Sequence, residues 1–106
     1  MFSDLNKLLD EHGGSVRAYA ICARTARSRA VEEPENAAAL FLLAMAAQRF
    51  VDSFDDQPIT VLETAKEREK IGGYITDLSE AFSQSDPGLK IAALNIVARA
   101  LSQKRT

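Results

Sequence analysis

Every residue from Ala37 to Ala47 is apolar, within a stretch that reads PENAAALFLLAMAAQRFVDSF from Pro34 to Phe54. An apolar run of that length outlasts an ordinary strand and falls short of the about 20 residues a membrane span needs. Rich in Ala, Leu and Met, it predicts a helix buried on more than one side. Leu40, Leu43, Ala47, Phe50 and Phe54 share one face of that helix, and Phe41 and Met45 lie on a second. The helix is therefore expected to touch at least two neighbours.

Glycine and proline divide the rest into helical segments, giving an all-α bundle of about five helices over residues 3–12, 15–32, 34–54, 60–83 and 86–103. Ser3 is the expected N-cap of the first, and Gly13-Gly14 stops it. Ser15 caps the second, whose Val16, Tyr19, Ala20, Ala23, Ala26 and Ala30 keep helical spacing. Glu32-Glu33-Pro34 breaks the chain, because proline disfavours helix before it and suits the first turn after it. Asp52 to Pro58 reads as an acidic loop. Thr60 and Glu63 form a capping box for the fourth helix. Ile71, Ile75, Leu78 and Phe82 keep apolar phase across Gly72-Gly73, so one helix is expected there, kinked at the glycines; two helices meeting at them is the alternative. Ser85-Asp86-Pro87 announces the fifth, in which only Lys90, Asn95 and Arg99 interrupt the apolar residues from Leu89 to Leu101. Lys104 and Arg105 suit the negative end of its dipole.

Length and charge narrow the picture. The 106 residues are 46% hydrophobic and 26% charged, which fits a single globular domain. A net charge of −2 argues against binding polyanions by bulk electrostatics. The lone Cys22 has no internal disulfide partner, and the segment from Met1 to Glu11 lacks the long apolar core of a signal peptide. The expectation is a cytoplasmic protein in a reducing compartment, with no membrane contact.

Candidate chemistry is sparse. His12, the only histidine, falls at a helix C-terminus, where the residue commonly meets carbonyls. Cys22 reads as a small buried hydrophobe, with a redox role open only if it is exposed beside Arg24. Gly72-Gly73 follows no strand and lacks phosphate-loop spacing, so helix packing or a hinge is its expected role. Arg17, Arg24, Arg27 and Arg29 make the second helix basic, and no acid interrupts it from Gly13 to Val31. Arg17 and Arg24 share a face, with Arg27 some way around from them. That face is a possible anion-binding surface, or it is solvated or paired with Glu32, Glu33 or the acidic loop.

Glu32, Glu33 and Glu35, followed by Asp52-x-x-Asp55, superficially resemble helical nucleotide pyrophosphohydrolases of the MazG type. Those enzymes place glutamates on one helix and Glu-x-x-Asp on the next. The resemblance implies Mg²⁺-dependent hydrolysis. This chain departs from the pattern: Pro34 interrupts the first cluster, and the second carries Asp where Glu belongs, at a helix end. Turns and first helical turns are the expected places for these acids.

Two broadly apolar helices, the third and fifth, are hard to cover with three amphipathic partners. The expectation is a small helical protein–protein interaction module (adaptor, regulator or assembly subunit) that forms a homodimer and has a further, unidentified protein partner. It would act without catalysis, metal or cofactor, through Phe41 and Met45 or through Leu94, Val97 and Leu101. The alternative is a small nucleic-acid-binding regulator using Arg17, Arg24 and Arg27.

Overall fold

The computed structural model describes residues 1–13, 15–54 and 58–103. Five α-helices follow one another: α1 (Ser3–Glu11), α2 (Val16–Glu32), α3 (Ala37–Phe54), α4 (Val61–Phe82) and α5 (Pro87–Ser102). A 3-10 turn, Pro34–Asn36, leads into α3. Among the described residues there is no strand, so the fold is an all-α bundle.

Local chemistry sets the helix ends. The Ser15 hydroxyl accepts from the Ala18 amide at 3.3 Å and the Thr60 hydroxyl from the Glu63 amide at 3.0 Å. The Asp86 carboxylate accepts from the Gly88 amide at 2.8 Å, with Pro87 in the first turn. Gly13 sits at φ 70°, the left-handed conformation that glycine reaches without a Cβ clash. Gly14 lies outside the described residues.

The start of α1 differs from expectation. Phe2, not Ser3, occupies the cap position, and no side chain caps the helix. Phe2 is fully buried, its ring 6.0 Å from that of Phe82, and its amide donates to Ser79 Oγ at 3.0 Å. Burying a phenylalanine stabilises by about 1.5–3 kcal/mol. A cap contributes about 1. The aromatic ring wins.

α2 and α3 form a hairpin through the Glu33–Asn36 turn and make the most extensive interhelical contact in the molecule. Small residues let the two backbones approach: Ala18, Ala23 and Ala26 on one side, Ala39, Ala44 and Ala47 on the other, all buried. At the far end of the hairpin the Tyr19 and Phe50 rings stack at 3.8 Å, and Phe54 packs against Phe50 at 5.0 Å. α1, α4 and α5 close over this pair, and the core cluster draws on all five helices. α3 touches α2, α4 and α5, which meets the expectation of at least two neighbours, but not through the Phe41 and Met45 face. The segment Pro34–Phe54 passes a length and composition test for crossing a membrane, with mean hydropathy 1.4. In this fold Leu40, Leu43, Ala47 and Phe50 are covered by the other helices, which is how a core helix behaves.

α4 runs unbroken through Gly72-Gly73. A Cβ on Gly72 would lie 2.7 Å from Arg68 Nη1 and 3.5 Å from Asn6 Oδ1, so Gly72 admits α1 and the Arg68 guanidinium. Arg68 is tied across that contact, to Asp10 Oδ1 at 3.0 Å and the Asn6 carbonyl at 3.2 Å. Arg29 ties the other end of α1. It donates to both Asp4 carboxylate oxygens, at 2.9 and 2.8 Å, and to Glu33 at 2.9 Å. Its guanidinium also lies over the Phe2 ring at 5.7 Å.

Candidate functional site

α5 shows which apolar surfaces are free. Val97 is fully buried, and Leu94 and Leu101 are half-buried against the core. The expectation that Leu94, Val97 and Leu101 form an uncovered face is therefore corrected: they are the side by which α5 packs. The helix wheel of α5 is apolar nearly all round, so its sequence alone left the inward direction unset. The opposite half carries Leu89, Ile91 and Ile96, at 44%, 58% and 63% exposure, around Asn95 and Arg99.

Phe41 and Met45 do remain uncovered. They are one turn apart on α3 and 53% and 43% exposed, on a helix whose other large apolar side chains are buried or half-buried. Ala38 extends the stripe one turn toward the N-terminus, and Gln48 and Asp52 continue it as polar residues. Phe41 and Met45 thus form a short, uncharged apolar strip.

The arginines of α2 divide by role. Arg29 is structural, as the Asp4 and Glu33 pairs show. Glu33 is held below the usual carboxylate range by its hydrogen bonds from Arg29, first, and from Asn36. Arg27 reaches Gln48 Oε1 only at 3.5 Å. Arg17 and Arg24 are exposed and make no hydrogen bond or ion pair with any described residue.

The acids of the MazG-like pattern are not assembled. Glu33 bonds Arg29 and Asn36, Asp52 accepts from Gln48, and Glu32 and Glu35 point to solvent. Asp55 lies outside the described residues. Among the described residues no three His, Cys, Asp or Glu side chains come close enough to hold a metal ion. Cys22 is fully buried, and burial pushes its thiol up to about 11. A thiol so placed is a packed hydrophobe and not a nucleophile or sensor. His12 is exposed at the end of α1, where its carbonyl accepts from the Ser15 hydroxyl at 3.1 Å.

One feature escaped the sequence reading. α2, α3, α4 and the C-terminal end of α5 enclose a cleft of about 260 Å³. Phe50 and Ile71 give it apolar walls, and Arg49, Glu67, Lys70, Tyr74 and Tyr19 line it with polar groups. Arg49 donates to the Leu101 carbonyl at 2.8 Å and to that of Gln103, closing the end of α5. Lys104 and Arg105 lie outside the described residues. Tyr19 is 1% exposed, and its hydroxyl has no hydrogen-bond partner among the described residues. Burial pushes that phenol up to about 12. Tyr74 is raised in the same direction by burial, against an opposing pull from Arg49. These groups come from four helices, so no local motif announces them.

No family model, curated protein or solved structure matches this chain.

Proposed function

We propose that the chain is a helical protein–protein interaction module and that its first partner is a second copy of itself. The observation that carries this reading is the exposure of Phe41 and Met45 on the most apolar helix of the molecule. Every other large apolar residue on α3 packs against the rest of the chain, whereas these two meet water. Phe41 and Met45 themselves carry no charge, and Arg49 and Asp52 flank Met45 with one charge of each sign. A two-fold axis through α3 would set Phe41 and Met45 of one protomer against the same strip of the other, the isologous arrangement of most soluble dimers. Aromatic and Met side chains are the residue types that anchor interface centres. Catalysis has no part in this reading.

The test is Phe41→Asp with Met45→Asp. In the free chain these substitutions sit on an exposed surface and leave the melting temperature within a few degrees. They are expected to convert a dimer to a monomer. A dimer that survives both substitutions contradicts the reading.

A second reading rests on Arg17 and Arg24, which are exposed without a described partner. With Arg27 they would contact phosphates of a nucleic acid, as a small regulator would. Its mark is affinity that falls steeply with salt. Fluorescence anisotropy with a labelled 20-base-pair duplex tests it: tight, salt-sensitive binding lost in Arg17→Ala/Arg24→Ala supports it, and no binding at low salt rejects it.

A further inference from the structure

We propose that the cleft between α3, α4 and the end of α5 is a binding site for a small organic acid with an apolar body. Three observations converge there. The first is the buried Tyr19 hydroxyl, which lacks a partner among the described residues in a residue 1% exposed. A polar group left unpaired in an interior costs about 1–3 kcal/mol, and Tyr19 is one of the residues that line the cleft.

The second is charge. Among the described residues Arg49 and Lys70 bring two cations, against the single carboxylate of Glu67. Lys70 Nζ lies 3.8 Å from Glu67 Oε1, beyond hydrogen-bond distance, so its donors remain open to a ligand. Arg49 has five N–H donors, of which the α5 carbonyls take only some. A carboxylate on the ligand satisfies this surplus, whereas an ammonium would meet two like charges.

The third is shape and lining. The half-buried Ala46, Tyr74, Ala100 and Leu101 supply apolar surface, backed by the almost fully buried Phe50 and Ile71, and the Tyr19 ring is stacked on Phe50 at 3.8 Å. At about 260 Å³ the cleft falls just under the ~300–1,000 Å³ of drug-sized sites, which sets the ligand at metabolite size. The cleft does not include Phe41 or Met45, although Met45 borders Arg49 and Leu101 on its rim.

The protein carries its own reporter. It has two tyrosines and no tryptophan, and both tyrosines line the cleft. The experiment titrates the intact chain with cyclohexanecarboxylate, cyclohexylamine, cyclohexylmethanol and inorganic phosphate, none of which absorbs at the tyrosine band. Saturable change in tyrosine emission with a raised melting temperature is expected for the carboxylate alone. Lys70→Gln, an exposed change that leaves the fold intact, is expected to weaken that binding about tenfold. Tyr19→Phe is expected to weaken binding while raising the melting temperature of the free chain, because it deletes the unpaired hydroxyl. Equal response to the amine or the alcohol overturns the acid, and an equal response to phosphate overturns the apolar body. No saturable response to any probe overturns the site. A Tyr19→Phe chain that is less stable yet binds as before overturns the hydroxyl's role.

Discussion

Tyr19 and Cys22 sit one turn apart on α2, both fully or almost fully buried, and both keep their protons far into alkali. Burial lifts the thiol from 9.0 to about 11 and the phenol from 10.0 to about 12. The unfolded chain releases those protons first, so the stability they contribute is complete below about pH 9 and falls as pH climbs toward 12. Urea midpoints between pH 8 and 11 are expected to drop, and Cys22→Ala is expected to flatten the lower part of that drop. Glu33 has the opposite sign. Its carboxyl is depressed by Arg29 and Asn36, so its contribution is present above the ordinary value of 4.5 and is lost below it as the proton goes on. Arg29→Ala is expected to cost on the order of 1 kcal/mol at pH 7, since Asp4 is largely solvated. It should also blunt the acid loss of stability between pH 5 and 3, checked by thermal melts across that range. Individual residues were the least legible scale. The burial of Tyr19 follows from its place in the apolar phase of α2. Phe2 is in helical phase with Leu5 and Leu9 but precedes the expected cap Ser3, and the partners of Arg49 and Arg68 are 52 and 58 positions away in sequence.

The helices themselves were written plainly, because each end carries its own chemistry. Ser15, Thr60 and Asp86 accept the amides their positions call for, and Pro34 and Pro87 stand where a new helical segment begins. Thr60→Ala is expected to cost about 1 kcal/mol in a denaturant melt. The two glycines of α4 make a sharper test. A Cβ on Gly73 meets nothing within 4 Å, whereas one on Gly72 lies 2.7 Å from an Arg68 guanidinium already tied to α1. Helix propensity alone favours alanine at either site by about 1 kcal/mol. Gly73→Ala is expected to gain that amount. Gly72→Ala is expected to gain nothing or to lose stability, as Arg68 must shift. Equal gains at both would mean that the α1–α4 contact yields freely. The sequence showed both glycines and their phase, but the neighbour that needs Gly72 belongs to another helix.

At the scale of the molecule, the hairpin of α2 and α3 is the frame on which α1, α4 and α5 are laid. The extent of the apolar run in α3 foretold a helix at the centre of the bundle, but not that α2 would be its chief partner. The direction α5 faces was not foretold, because a helix with three polar residues among its apolar ones can turn almost any side inward. Val97 faces in, and Leu89, Ile91 and Ile96 face out. The cleft beneath the end of α5 was equally hidden, since Tyr19, Arg49, Lys70 and Tyr74 meet only after the helices pack. On the outside of α3 lies the Phe41 and Met45 strip, on which the proposed self-association depends. Light-scattering mass after size exclusion, at two protein concentrations and at low and high salt, tests that claim most directly. A species near twice 11.6 kDa at every salt, reverting to 11.6 kDa in Phe41→Asp/Met45→Asp, is the result expected. A chain of 11.6 kDa at every concentration would contradict it and leave the strip an ordinary patch of exposed surface.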